Sequence, residues 1–169
     1  MRAGVALGSN LGDPLGNLRA ARHAILLIPG VTEPILSSPI YETEPVGCEP
    51  GAANFLNAVI EFTYAGDALR LFEQLRAVET SLGRPAEHAR NVSRSIDVDL
   101  LYFGDAVIKT DRLTLPHPRI EGRRFVLQPL ADIQPNRVLP GQTKSVSELL
   151  ALTPQSATVL RSSKQWEDH

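Results

Sequence analysis

Arg94-Ser-Ile-Asp-Val-Asp-Leu-Leu-Tyr-Phe103 reads as a strand with two unlike faces. Ile96, Val98 and Leu100 alternate with Asp97, Asp99 and Leu101, and residues two apart on a strand point the same way. The two carboxylates therefore emerge side by side, with an apolar face behind them. Like charges placed so closely repel, and two readings stay open. One is a divalent cation such as Mg²⁺, which takes one or two carboxylates and completes its shell with phosphate and water. The other is a strand end whose aspartates simply face water.

This strand closes a pattern that begins at the N-terminus. Residues 2–8 form a first strand, ending in the turn Gly8-Ser-Asn-Leu-Gly12. Asp13-Pro14 then supplies an N-cap and a first-turn proline. Leu15, Leu18, Ala21, Ile25 and Ile28 recur at helical spacing until Pro29-Gly30. Residues 31–43 read as extended, and Glu44-Pro-Val-Gly-Cys-Glu-Pro-Gly51 as a loop. Phe55–Tyr64 is rich in β-formers. Gly66-Asp67 opens a second helix with Ala68, Leu71, Phe72, Leu75, Val78 and Leu82 on one face, and Gly83 caps it. The order β-α-β-β-α-β predicts an α+β fold, a ferredoxin-like βαββαβ core with an antiparallel sheet and C-terminal additions. A further helix is expected from Ser145 to Leu152, and the last ~15 residues read as a loosely attached polar tail. Residues 1–169 are expected to form a single domain.

The chain has 169 residues, 17 basic against 19 acidic, for a net charge of −2. That balance argues against nucleic-acid binding driven by charge. The single cysteine, Cys48, permits no intrachain disulfide. No signal-peptide pattern or membrane-length apolar run is present, so a cytoplasmic protein is expected. No glycine-rich phosphate loop, zinc spacing or Ser-His-Asp set announces itself. Any nucleotide must then be held by side chains and a metal. Arg84, Arg90 and Arg94 precede the aspartates, and His117, Arg119, Arg123 and Arg124 follow them. Guanidiniums around a metal-holding carboxylate pair suit a polyphosphate.

Six stretches, in order, resemble one family. They are Leu7-Gly-Ser-Asn-Leu-Gly12, Ser38-Pro-Ile-Tyr-Glu-Thr-Glu-Pro-Val-Gly47, Asn54-Phe-Leu-Asn-Ala58, Glu79-Thr-Ser-Leu-Gly-Arg84, Arg94 to Gly104, and Leu115-Pro-His-Pro-Arg-Ile-Glu-Gly-Arg-Arg-Phe-Val-Leu-Gln-Pro-Leu130. Together they resemble 6-hydroxymethyl-7,8-dihydropterin pyrophosphokinase of folate biosynthesis. The resemblance implies transfer of the diphosphate of ATP to the pterin alcohol, with AMP released. It implies that Asp97 and Asp99 hold two Mg²⁺ ions, and that Arg84, Arg94, Asp97 and Asp99 form the catalytic set. Arg84, Arg94 and Arg123 match phosphate-contacting arginines and His117 a nucleotide-contacting histidine, with Ile96 and Arg112 also on the ATP side. Arg90 and Arg112 match less closely. Phe55 and Phe125 match the apolar faces around the pterin, Asn57 its polar edge, and Thr43 and Val46 positions bordering it through backbone groups.

Departures from the family pattern fall in loops. Asn91 stands where an aromatic is common, Pro118 where some members have tyrosine, and the loop around Cys48 is about one residue longer. No nucleic-acid or membrane partner is implied, and a link to dihydropteroate synthase is. Two other classes also fit parts of the sequence. A different Mg²⁺-dependent phosphohydrolase or nucleotidyl transferase would use the same aspartates and arginines. A ferredoxin-like binding module would explain the fold and leave the aspartate pair without a purpose.

Overall fold

The structure, a computed structural model, describes residues 1–44, 51–83, 95–154 and 159–167. Within them the chain runs β1 (Arg2–Ser9), α1 (Pro14–Leu26), β2 (Val31–Ser37), β3 (Tyr41–Thr43), β4 (Phe55–Tyr64), α2 (Ala68–Ser81), β5 (Asp97–Phe103), β6 (Ile108–Lys109), β7 (Thr114–Leu115), α3 (Arg124–Ile133), α4 (Val146–Leu152) and β8 (Val159–Arg161). Three of the four helices among the described residues start where side chains satisfy their first N–H groups. Asp13 accepts from Gly16 N, Asp67 from Arg70 N at 2.8 Å, and Ser145 and Glu148 form a reciprocal capping box. The expected extended stretch 31–43 is two strands, β2 and β3.

β1 lies between β5 and β4, antiparallel to both. The outer edge of β4 is shared by β2 and β3, and β8 adds to β3. Every pairing in this sheet is antiparallel, and β6 and β7 make a separate ribbon. Alternation along the strands builds two cores. Val5, Leu7, Ile60 and Leu100 pack with Leu18 and Ile25 of α1 and Leu71 and Leu75 of α2. On the reverse face, Val59, Leu101 and Tyr102 pack with Leu127 and Leu130 of α3 and Val146 and Leu149 of α4. No helix among the described residues is long and apolar enough to cross a membrane.

Two elements depart from expectation. Residues 124–133 fall where only short C-terminal additions are expected from the sequence, yet a ten-residue helix, α3, forms there with Pro129 inside it. The strongly apolar stripe of Val126, Leu127 and Leu130 explains its docking. The expectation of a loose C-terminal end is corrected for residues 159–167. β8 pairs with β3, Trp166 Nε1 donates to Ser38 O at 2.8 Å, and Arg19 donates to Gln165 O at 2.8 Å. A single tryptophan gave this segment a large apolar group, and Arg22 lies 5.5 Å from its ring centroid.

The reverse face is locked at one end by a buried polar cluster. The carboxylate of Glu61, with no exposed surface, accepts from Arg2 Nε at 2.9 Å, from Gln134 Nε2 at 3.0 Å and from the Tyr102 hydroxyl. Burial and the neighbouring Glu61 push the Tyr102 hydroxyl well above its ordinary pKa. Arg137 stacks 4.0 Å from the Tyr102 ring centroid, and the ring lies over Gly4, where no Cβ would fit. The buried Glu61 carboxylate and Tyr102 hydroxyl are both partnered, as such a network requires, while Arg137 Nε is buried without a hydrogen-bond partner.

Candidate active site

The other end of the same face carries a row of polar side chains. Gly8 on β1 stands opposite Asn57 on β4 and opposite Asp97 on β5. Tyr41 on β3 faces Asn57, and Arg161 on β8 faces Tyr41. Directly opposite residues in antiparallel strands share a face. Tyr41, Asn57 and Asp97 therefore form one row on the α3 side, with Gly8 contributing no side chain between the last two. Strands lie about 4.8 Å apart, so Asn57 and Asp97 flank a bare backbone floor roughly 10 Å across. Asp99, one step along β5, faces Ala6, again a small residue.

The polar groups of this floor are held in place. Asn57, which is buried, donates from Nδ2 to Thr43 Oγ1 at 2.8 Å. A Cβ added at Gly8 would stand 3.1 Å from Asn57 Oδ1, so that carbonyl oxygen hangs over the glycine. Phe55 belongs to the same face and is half-buried, as is Phe125 near the start of α3. Buried Ser9 and Asn10 anchor the neighbouring segments: Ser9 Oγ donates to Ser95 O, and Asn10 Nδ2 donates to Ala53 O at 3.1 Å. The turn after β1 thus fixes both the approach to Asp97 and the approach to Phe55.

Glu79 is a residue whose role the sequence pattern underplayed. It continues the buried series Leu71, Leu75 on α2, and an acid on such a face is its signal. Its carboxylate accepts from Val98 N at 3.0 Å, the residue between the two aspartates. Since β5 is an edge strand, this bond satisfies a donor that no neighbouring strand takes.

His117, on the segment after β7, feels the charge of Asp97. Its own N–H donates to Leu101 O at 2.8 Å, and its Nδ1 accepts from Arg119 N at 3.1 Å. The ring proton accordingly sits on Nε2. Burial lowers its pKa, Arg123 and Arg119 lower it further, and Asp97 opposes them. At neutral pH it is an uncharged Nε2–H donor beside a guanidinium. Arg123, at the N-cap of α3, has its guanidinium carbon 5.5 Å from the Phe125 ring centroid.

The structure thus gathers Asp97, Asp99, His117, Arg123, Thr43, Phe55, Asn57 and Phe125 on one side of the sheet. The Ile96 side chain is instead fully buried in the α1–α2 core, leaving only its main chain for a ligand. Arg112 lies on the surface, 3.0 Å from Glu73 of α2. Val46, Arg84, Arg90 and Arg94 lie outside the described residues, as do Cys48 and Asn91.

Residues 4–135 match the family model described as 7,8-dihydro-6-hydroxymethylpterin-pyrophosphokinase (HPPK). The chain belongs to the HPPK family. A 2-amino-4-hydroxy-6-hydroxymethyldihydropteridine pyrophosphokinase of Pseudomonas aeruginosa is 37% identical over 153 residues, covering 90% of this chain and 92% of that protein. The protein of the same name from Bacillus subtilis is 43% identical over 129 residues, covering 76% of this chain and 75% of its own. Among solved structures, Plasmodium falciparum HPPK-DHPS with pterin and p-hydroxybenzoate superposes with a TM-score of 0.67 at 16% identity. That match covers 89% of this HPPK chain and 42% of the fusion, so the chain spans about two-fifths of its length, and the likeness speaks to the fold.

Proposed function

We infer that this chain transfers the diphosphate of ATP to 6-hydroxymethyl-7,8-dihydropterin, yielding the pterin diphosphate and AMP for folate biosynthesis. The observation that carries this reading is the row Asn57–Gly8–Asp97. It offers a buried amide to the edge of a flat heterocycle, carboxylates about two strand spacings away, and no side chain between them. A side-chain amide can both donate and accept along a pterin edge, and the half-buried rings of Phe55 and Phe125 supply apolar faces. Thr43 holds the amide. Val46 borders the pterin in the same proposal.

Asp97 and Asp99 would hold Mg²⁺, and two ions are proposed. Among the described residues no third Asp, Glu, His or Cys joins them to complete a metal cage, which fits an ion whose other ligands are phosphate and water. Bound there, the metal neutralises triphosphate charge and orients the attacking and leaving oxygens. The chain's own groups do the rest. His117 donates Nε2–H to a phosphate oxygen, and Arg123 adds its fork of donors. Arg84 and Arg94 are assigned to the triphosphate as well, and Arg112 and the Ile96 main chain to the nucleotide's outer part. The alcohol oxygen attacks the β-phosphorus, the bond to the α–β bridging oxygen breaks, AMP leaves with that oxygen, and the hydroxyl proton is lost to solvent. Positioning and charge stabilisation carry most of such a reaction.

The strand order β5-β1-β4 followed by β2 and β3 supports a ferredoxin-like core, one domain carrying the site. An ATP-dependent reaction suits the cytoplasm. A functional link to dihydropteroate synthase belongs to the same reading, supported by the solved HPPK-DHPS fusions. The test mixes protein, ATP, Mg²⁺ and 6-hydroxymethyl-7,8-dihydropterin and identifies the released nucleotide by chromatography. AMP that appears only with pterin supports the assignment; ADP, or no pterin-dependent product, sinks it. Asp99→Ala should slow AMP release on the order of a thousandfold, several kcal/mol of transition-state stabilisation.

A further inference from the structure

Tyr41 lies beside the proposed pterin floor without belonging to it. Its backbone is directly opposite Asn57, so its ring shares the α3 face with that amide. The ring is buried, and its hydroxyl donates to Asp132 Oδ2 on α3. Phe125, Gln128 and Asp132 recur at i, i+3 and i+7, one stripe of a helix. Gln128 also acts on the Tyr41 hydroxyl. One phenol thus joins the strand that aligns Asn57 and Thr43 to the helix that carries Phe125, by the stripe on which Phe125 lies. Burial first, then Asp132, pushes the Tyr41 hydroxyl up to about 12, with Gln128 and Arg161 working against the shift. The group therefore stays a donor throughout the neutral range.

We propose that Tyr41 and Asp132 act as a positioning pair that sets the distance and rotation of Phe125 over Asn57, and so tune affinity for the flat heterocycle. Neither touches the reacting atoms. The proposal rests on the pterin reading of Asn57 and Phe125. Its reach is greatest on the heterocycle side, because His117 and the aspartates are placed by other contacts, Leu101 O and Glu79.

The test measures affinity for oxidised 6-hydroxymethylpterin by its fluorescence, with Mg²⁺ and a non-hydrolysable ATP analogue present. Nucleotide affinity is measured separately by calorimetry. Tyr41→Phe and Asp132→Ala should each weaken pterin binding by about three- to tenfold, with nucleotide affinity within about twofold. The double variant should be no weaker than the worse single one, since both break one bond. Asp132→Asn, which keeps an acceptor, should restore most of the affinity. Unchanged pterin affinity in folded Asp132→Ala, equal losses for both ligands, or additive losses would each overturn the proposal. If the wild-type protein itself fails to bind the pterin, the functional reading falls, and the positioning role with it.

Discussion

Gly4→Ala is expected to destabilise the protein while leaving its chemistry intact. A Cβ at that position would stand 2.8 Å from the Tyr102 hydroxyl oxygen and overlap the ring carbons beside it. Carbon contacts normally settle near ~3.5–4.0 Å, so the ring must shift by an ångström or more. It cannot do so cheaply, since Tyr102 is almost fully buried, bonded to Glu61 and stacked with Arg137. Overpacking of this kind costs about 1–3 kcal/mol. Straining a hydrogen bond to a charged group forfeits part of another ~1.5–3 kcal/mol. Against this, alanine restricts the unfolded chain and returns about 0.4–1 kcal/mol. The net loss is about 2–4 kcal/mol, a fall in Tm of roughly 5–15 °C for a chain of this size. Thermal unfolding followed by circular dichroism reads it, and adding Tyr102→Leu should recover part of the loss. The AMP-release rate at 15 °C should stay within about twofold of wild type, because Gly4 lies at the locked end of the sheet. A Tm within about 1 °C of wild type would refute the packing account.

The remaining predictions concern the opposite end. Glu79→Ala leaves Val98 N without its acceptor, so stability should fall by about 1–3 kcal/mol. With the aspartate strand loosened, kcat should drop about 10–100-fold; Glu79→Gln should lie between, and an unchanged kcat in the alanine variant would dismiss the positioning role. Gly8→Ala crowds Asn57 Oδ1 and should weaken pterin binding about tenfold, roughly 1.4 kcal/mol, with little change in the urea midpoint; equal binding would mean that the floor is not where the ligand lies. Tyr41 titrates at about 12 in the fold against 10.0 unfolded, so its stabilisation is complete below pH 10 and fades as pH rises toward 12. The stability gap between wild type and Tyr41→Phe should therefore narrow between pH 10 and pH 12 in urea titrations; a constant gap would contradict the raised pKa.

Much of this was legible because local rules and the fold agreed. Asp13, Asp67 and Ser145 announced helix starts that the structure uses, and the alternation around Asp97 and Asp99 set the strand that bears them. Asn57 stood out as an amide within an apolar strand, and it is indeed buried with a partner. What the sequence concealed depends on contacts between distant segments. α3 forms through Pro129 because packing of its apolar stripe outweighs a lost backbone bond. β8 is only three residues long and gains its definition from β3. The opposition of Asn57, Gly8 and Asp97 is a matter of register between three strands, which no single stretch displays. The pairing of Arg112 with Glu73 of α2 is likewise a contact between distant segments that the sequence does not display.

The pairing of β3 with β8 gives the chain's order of synthesis a role in building the site. Tyr41 and Thr43 lie on a strand whose outer edge is closed by Val159–Arg161, residues made long after it. At about 5–20 residues per second, β3 waits roughly 6–23 s on the ribosome for its second neighbour. In that interval the β1–β4–β5 face that bears Asp97 and Asp99 can already assemble, while the strand that holds Asn57 in place keeps an open edge. The end of the sheet that bears Asp97 and Asp99 can thus be built before the outer edge of the Tyr41–Thr43 strand is closed.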